Sequence, residues 1–162
     1  MIKDVLTAAQ KTLLNIPGLK YVAEDWGQLD YYTNRPPVEF PCALIDVQGA
    51  DYADLSRQYQ QADATFTIRI ADYRPVNVSA LSQESDEESF YIFDLLAEIY
   101  KALQGLCGPT FSRISRTRLR KAERDDGIRE MVMTFRFGFT DSSAAPKMQK
   151  ATPDPRITAK ID

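Results

Sequence analysis

The sequence predicts an α+β domain: a mostly antiparallel sheet, two helices packed on one face, and a C-terminal β-hairpin. Three observations lead there. Residues 2–15 and 85–104 repeat apolar side chains at helical spacing. Residues 62–71 and 128–139 alternate apolar and polar side chains with the two-residue period of a half-buried strand. The order helix, strand, strand, strand, helix, strand, strand suits helices gathered on one side of an antiparallel sheet. At 162 residues, with 44% hydrophobic and 27% charged content, the chain has the length and composition of one ordinary globular domain.

In the first helix, Ile2, Val5, Leu6, Ala9, Leu13 and Leu14 make one stripe, opposite Lys3, Asp4, Gln10 and Lys11. Asn15-Ile16-Pro17-Gly18 stops it. Residues 19–26 are expected to form a short strand. Residues 27–41, with Pro36, Pro37 and Pro41, read as a loop or extended connector. Residues 42–48 have strand composition. Residues 49–60 stay open between an extension of that strand, a bulge and an exposed β-arm. In residues 62–71, Ala62, Ala64, Phe66, Ile68 and Ile70 alternate with Asp63, Thr65, Thr67 and Arg69. A polar loop is expected at 72–84.

The second helix opens on Ser85-Asp86-Glu87-Glu88, a capping box whose acids oppose the positive helix end. Phe93, Leu96, Ala97, Tyr100 and Leu103 form its stripe. Ile92, Leu95 and Ile99 widen that stripe, so the helix is expected to be covered over much of its girth. Gly105 supplies a left-handed stop. The hairpin follows. Its first arm, residues 111–124, carries Arg113, Arg116, Arg118, Arg120, Lys121 and Arg124, and Asp125-Asp126-Gly127 is a tight-turn signal. In the second arm, Met131, Met133, Phe135, Phe137 and Phe139 share the core face. Glu130, Val132, Thr134 and Arg136 take a face left free for water, a partner subunit or a polyanion. Residues 1–140 are therefore expected to form one domain. Residues 141–162, with Pro146, Pro153 and Pro155 and few large aliphatics, read as a flexible or partner-ordered tail.

Composition narrows the chemistry. The chain has no histidine, which removes the commonest general base and metal ligand. Cys42 and Cys107 lie in apolar contexts and read as small buried hydrophobes; without histidine they make no zinc site. No catalytic, cofactor-binding or metal-binding residues are expected, and no enzyme activity. Asp51, Asp54 and Asp63 lack the glycine and terminal glutamate of a calcium loop. No apolar run is long enough to cross a bilayer, and the first residues lack a secretion signal, so a cytoplasmic product without a membrane partner is expected.

The net charge of −3 hides an asymmetry. Residues 81–110 carry Lys101 against Glu84, Asp86, Glu87, Glu88, Asp94 and Glu98. Residues 111–140 carry eight cations against four anions. An acidic helix, with Glu84, Asp86, Glu87 and Glu88 at its head, beside a basic strand can attract copies of the molecule head to tail, or the two can neutralise each other within one subunit. Strand parity aligns Arg116, Arg118 and Arg120 about 7 Å apart, near the spacing of nucleic-acid phosphates. A solvated or ion-paired face, a subunit contact and a small nucleic-acid-binding module using strand 113–124 are the three readings of that row. Tyr21, Trp26, Tyr31, Tyr32, Phe40, Tyr52 and Tyr59 suggest sealed core edges or interfaces more than a base-stacking platform.

The layout from Ile2 to Thr140 resembles the tail terminator, or tail completion, proteins of long-tailed bacteriophages and prophages. The likeness rests on the amphipathic N-terminal helix leading to Ile16-Pro17-Gly18-Leu19-Lys20-Tyr21-Val22, and on Phe40-Pro41-Cys42-Ala43-Leu44-Ile45-Asp46-Val47. It continues through Ala64-Thr65-Phe66-Thr67-Ile68-Arg69-Ile70, the helix 90–103, and the hairpin ending Phe135-Arg136-Phe137-Gly138-Phe139. The resemblance implies a structural ring, a hexamer, that ends the tail tube and docks on the head connector, with DNA passing through its lumen. Its partners would be its own copies, the tube and the connector. It would be cytoplasmic during assembly and then part of the virion. In that picture 49–60 is a candidate β-arm.

Overall fold

The computed structural model describes residues 1–73 and 86–146. Their order is α1 (Ile2–Leu13), β1 (Tyr21–Glu24), β2 (Cys42–Ser56), β3 (Tyr59–Asp72), α2 (Asp86–Leu103), β4 (Ser115–Lys121) and β5 (Arg129–Asp141). The strands form one sheet in the order β1-β2-β3-β5-β4. Only the β1–β2 pair is parallel; the others are antiparallel. This is the α+β fold that the sequence predicts.

Alternation decides which face each strand buries. Ala62, Ala64, Phe66, Ile68 and Ile70 of β3 and Met133, Phe135, Phe137 and Phe139 of β5 are buried in one cluster. The cluster also holds Val5, Ala9 and Leu13 of α1 and Leu95, Leu96, Ile99 and Leu103 of α2. Phe66 stacks on Phe135 with ring centroids 5.4 Å apart, and Phe137 is tilted against Phe66 at 5.9 Å. Offset aromatic pairs of this kind add to the gain from burial itself.

Three sequence expectations change, and the open reading of residues 49–60 is resolved. First, α2 buries Ile92, Leu95, Leu96, Ile99 and Leu103, while Phe90 and Phe93 are each 50% exposed and Ala97 is also exposed. The stripe centre is therefore rotated away from Phe93 and Ala97, and the helix is covered on one side only. Second, the segment 49–60 prolongs β2 past a bulge between Val47 and Gly49, turns, and returns as β3. It makes an arm in which every residue from 51 to 60 is exposed. Third, β4 and β5 are joined by residues 122–128 rather than by a tight turn: Ala122 N–H donates to the Glu130 carbonyl at 3.0 Å, and Gly127 takes φ +76°. Fourth, Cys42 is buried but Cys107 is exposed. The capping serine Ser85, the loop beyond residue 73 and the tail beyond residue 146 lie outside the described residues.

The burial contrast is testable by chemical denaturation. Phe66→Ala should cost about 3–5 kcal/mol, as expected for an aromatic removed from a packed core. Phe93→Ala should cost less than about 1 kcal/mol, because half of its surface already meets water. Equal costs would contradict the orientation of α2.

Candidate functional site

The sheet face away from the helices carries the polar chemistry. At one end the connector 25–41 folds over it, and Leu29 and Val38 pack on Cys42, Leu44, Ala71 and Ile128 in a second, smaller core. Burial pushes the Cys42 thiol up to about 12. That leaves it a hydrophobe rather than a nucleophile.

Next to this small core lies an ion cluster centred on Glu130. Arg69 donates from Nε to Glu130 Oε1 at 2.6 Å and grips Asp30 with both terminal nitrogens, at 2.6 and 2.8 Å. It also reaches Asp25 at 3.0 Å. Arg124 donates to Glu130 Oε2 at 2.7 Å, to Asp126, and to the Leu29 carbonyl at 2.5 Å. Tyr32 O–H donates to Asp126 at 2.6 Å. The cluster thus ties β3, β5, the 25–41 connector and the β4–β5 loop together through paired, charge-assisted bonds. The Arg124 guanidinium, helped by Tyr32, holds the Asp126 carboxyl well below the usual range. Arg69 lowers Asp30 in the same way, while the Asp126 carboxylate raises the Tyr32 phenol.

The same cluster corrects two expectations about the hairpin. Its outer face is not wholly free, because Glu130 and Val132 are buried there. Arg124 belongs to this internal cluster and not to a docking surface. The arginine row is also interrupted. The β4–β5 register shifts between Arg116 and Arg118. Arg116 stands opposite Phe135 on the helix side, with its guanidinium 3.8 Å from the centre of the Tyr100 ring. Arg118 and Arg120 stand opposite Thr134 and Val132 on the open face, and Lys121 opposite Met131 on the helix side. One extra residue in an edge strand reverses the facing of all that precedes it. Three guanidinium groups in line therefore do not occur, and the phosphate-spaced track with them. Arg113, Arg118, Arg120 and Lys121 are exposed.

Among the expected acids, Glu84 lies outside the described residues, and Asp86, Glu87 and Glu88 form the first turn of α2. Glu98 pairs with Lys101 at 2.7 Å. The aromatics do not gather into one platform. Tyr21 and Phe40 pack on the small core, Tyr52 meets Phe139 edge-on at 6.0 Å, and Trp26 and Tyr31 stand 65% and 84% exposed. Sequence reasoning missed Asp25, Asp30, Arg69, Asp126 and Glu130 as a group. Each was visible only as a polar residue in a strand or loop, and three-dimensional pairing alone unites them.

A hollow of about 560 Å³ lies among Tyr32, Arg35, Pro36, Phe40, Tyr73, Asp126 and Ile128. Among the described residues no group of three or more acids or cysteines is placed to hold a metal ion. No described helix is long and apolar enough to cross a membrane.

The architecture is thus an α+β sheet domain that offers surfaces. No protein-family model and no curated protein matches the sequence. Among solved structures the chain is similar to one from the virion of a native gene transfer agent particle, with a TM-score of 0.53 and 14% identity. The match covers 84% of this chain and 94% of that one. At that identity the likeness is one of fold.

The ion cluster sets an acid limit. Asp30 and Asp126 have lowered folded-state values, so their contribution is complete above the unfolded carboxyl range near about pH 4 and is lost as pH falls through the lower folded values. Thermal denaturation should show stability falling below about pH 4, with a shallower fall in Arg124→Met, whose Asp126 has lost its main partner. Glu130→Gln should destabilise at neutral pH by roughly 2–4 kcal/mol, because two half-buried guanidinium groups lose their shared anion.

Proposed function

We propose that this protein is a structural component of a phage-like particle: a ring that ends the tail tube and joins it to the head connector. The observation that carries this reading is the fold shared with a gene transfer agent virion chain across nearly the full length of both. The arrangement of surfaces supports it. The exposed chemistry lies on an arm, on two sheet edges and on the loop aromatics Trp26 and Tyr31, the residue types that anchor protein interfaces. A ring subunit needs such contacts on opposite flanks, since heterologous contacts close a circle.

In this reading the partners are copies of the chain, the tail tube and the connector. Six copies surround a lumen that passes DNA, and the ring's location is the virion. The mechanism is geometric: one ring face matches the last layer of the tube and the other refuses a further layer. The exposed cations Arg113, Arg118, Arg120 and Lys121 serve as contact residues between subunits.

Electron microscopy of purified tail tubes mixed with the protein tests the proposal. Density capping one end of each tube, and tube growth arrested in its presence, is the expected result. Tubes that lengthen freely with bare ends would refute it.

A further inference from the structure

Among the described residues both borders of the sheet carry open backbone, and they carry opposite charge. On one border, β1 covers β2 only over residues 42–45, and Asp25 N–H closes that pairing on the Ile45 carbonyl at 2.8 Å. From residue 46 to 56 the outer edge of β2 has no strand partner among the described residues. That is about 35 Å of open backbone at the usual strand rise. On the other border, β4 pairs with β5 alone. The Arg116 N–H is taken by Gln104 Oε1 at 3.0 Å, at the start of the strand.

The arm, residues 46–63, carries Asp46, Asp51, Asp54 and Asp63 against Arg57. The β4 border, residues 113–121, carries Arg113, Arg116, Arg118, Arg120 and Lys121 with no acid. Exposed edges invite strand addition, and charge on an edge decides which addition is allowed. Two acidic arms repel each other, and so do two basic borders. An acidic arm against a basic border is the combination left.

The faces agree as well. Asp51 and Asp63 are register partners, so both project from the same face. Like charges directly opposite each other on a sheet are destabilising. Within the subunit Asp63 meets the exposed Arg136 at 3.9 Å. Asp63 stands opposite Gly138, and Arg118 opposite Thr134, so both lie on the face turned away from the helices. A sheet that continues from one subunit into the next, with the same side outward, sets Asp51 of the edge strand against the Arg118 and Arg120 border of a neighbouring copy, with Asp63 one strand further in.

We infer that the open edge of the β2–β3 arm pairs with the β4 edge of a second copy, making a heterologous, salt-sensitive contact that continues the sheet between subunits. This rests on the ring reading and assigns its subunit contact. The contact is a cross-strand ladder in which Asp51, backed by Asp63 one strand in, meets Arg118 and Arg120, and the bulge at Arg116 keeps the third arginine out of that meeting.

Sedimentation of the whole chain at low ionic strength tests it, with three proteins of confirmed circular dichroism: the wild type, Asp51→Lys/Asp63→Lys, and Arg118→Glu/Arg120→Glu. The wild type should self-associate, weakening as salt is added. Each variant alone now sets like charges across the contact and should associate at least about tenfold more weakly. An equimolar mixture of the two variants should regain association to within about threefold of the wild type, since each supplies the border that the other needs. A wild type that stays monomeric at every concentration would overturn the inference. So would variants that assemble as well as the wild type, or a defect confined to the Arg118 variant, which would move the acidic partner to Asp86, Glu87 and Glu88. Tube-end microscopy decides the ring reading separately: capping by both variants leaves the ring and removes this contact.

Discussion

The pairing of β3 with β5 governs the rest of the molecule. Its register runs without a break from Gln60 opposite Asp141 to Asp72 opposite Arg129. Because side chains alternate, that single register sets two surfaces at once. On one side it lays Phe66 on Phe135 and Ile68 on Met133, the floor on which both helices pack. On the other it puts Arg69 beside Val132 and two register pairs from Glu130, the next residue of β5 on that face, within reach of its carboxylate. A slip of one residue would turn the aromatics to water and the arginine into the core. The hydrophobic side therefore enforces the geometry of the polar side, and the ion cluster follows from the core.

Glu130 in turn explains how an irregular connector can cover a sheet. The segment 25–41 has no regular structure of its own, yet Arg69 holds Asp25 and Asp30, and Arg124 holds the Leu29 carbonyl. These bonds press Leu29 into the small core. The two guanidinium groups face four acids: Asp25, Asp30, Asp126 and Glu130. The cluster carries no surplus of positive charge for a polyanion. The exposed cations on β4 and just before it are Arg113, Arg118, Arg120 and Lys121. The chain's basic half thus splits into a sealed part and an exposed part, a division that local composition could not reveal.

What the sequence made legible was what depends on period alone. The alternation in β3 and β5 and the stop of α2 before Gly105 follow from local rules, and the structure keeps them; Leu14, expected on the α1 stripe, is exposed just past the helix end. The face of α2 was less legible. Phe93 and Leu96 differ little in apolarity, and only the contact with α1 and the sheet decides which one turns inward. The ion cluster was invisible for another reason: Arg69 and Glu130 are separated by 61 positions. The broken arginine row failed through one inserted residue. Strand parity is reliable only up to the first bulge, and bulges gather at sheet edges, where β4 lies.

That bulge also bears on assembly. Without it, Arg116, Arg118 and Arg120 would crowd one face of a seven-residue strand whose border already lacks a partner. With it, Arg116 crosses to the helix side and rests on Tyr100, an attraction that a guanidinium gains over an aromatic face. Two arginines of β4 remain on the open face, and the arm offers Asp51 there, register partner of Asp63, a like-charged pair that an added cation relieves. The match in facing does not arise from either border alone. An edge defended only against aggregation needs charge of one sign, anywhere along its length. Opposite signs on opposite borders, turned to the same side of one sheet, constitute instead a polarity that favours head-to-tail pairing over a mirror-paired dimer.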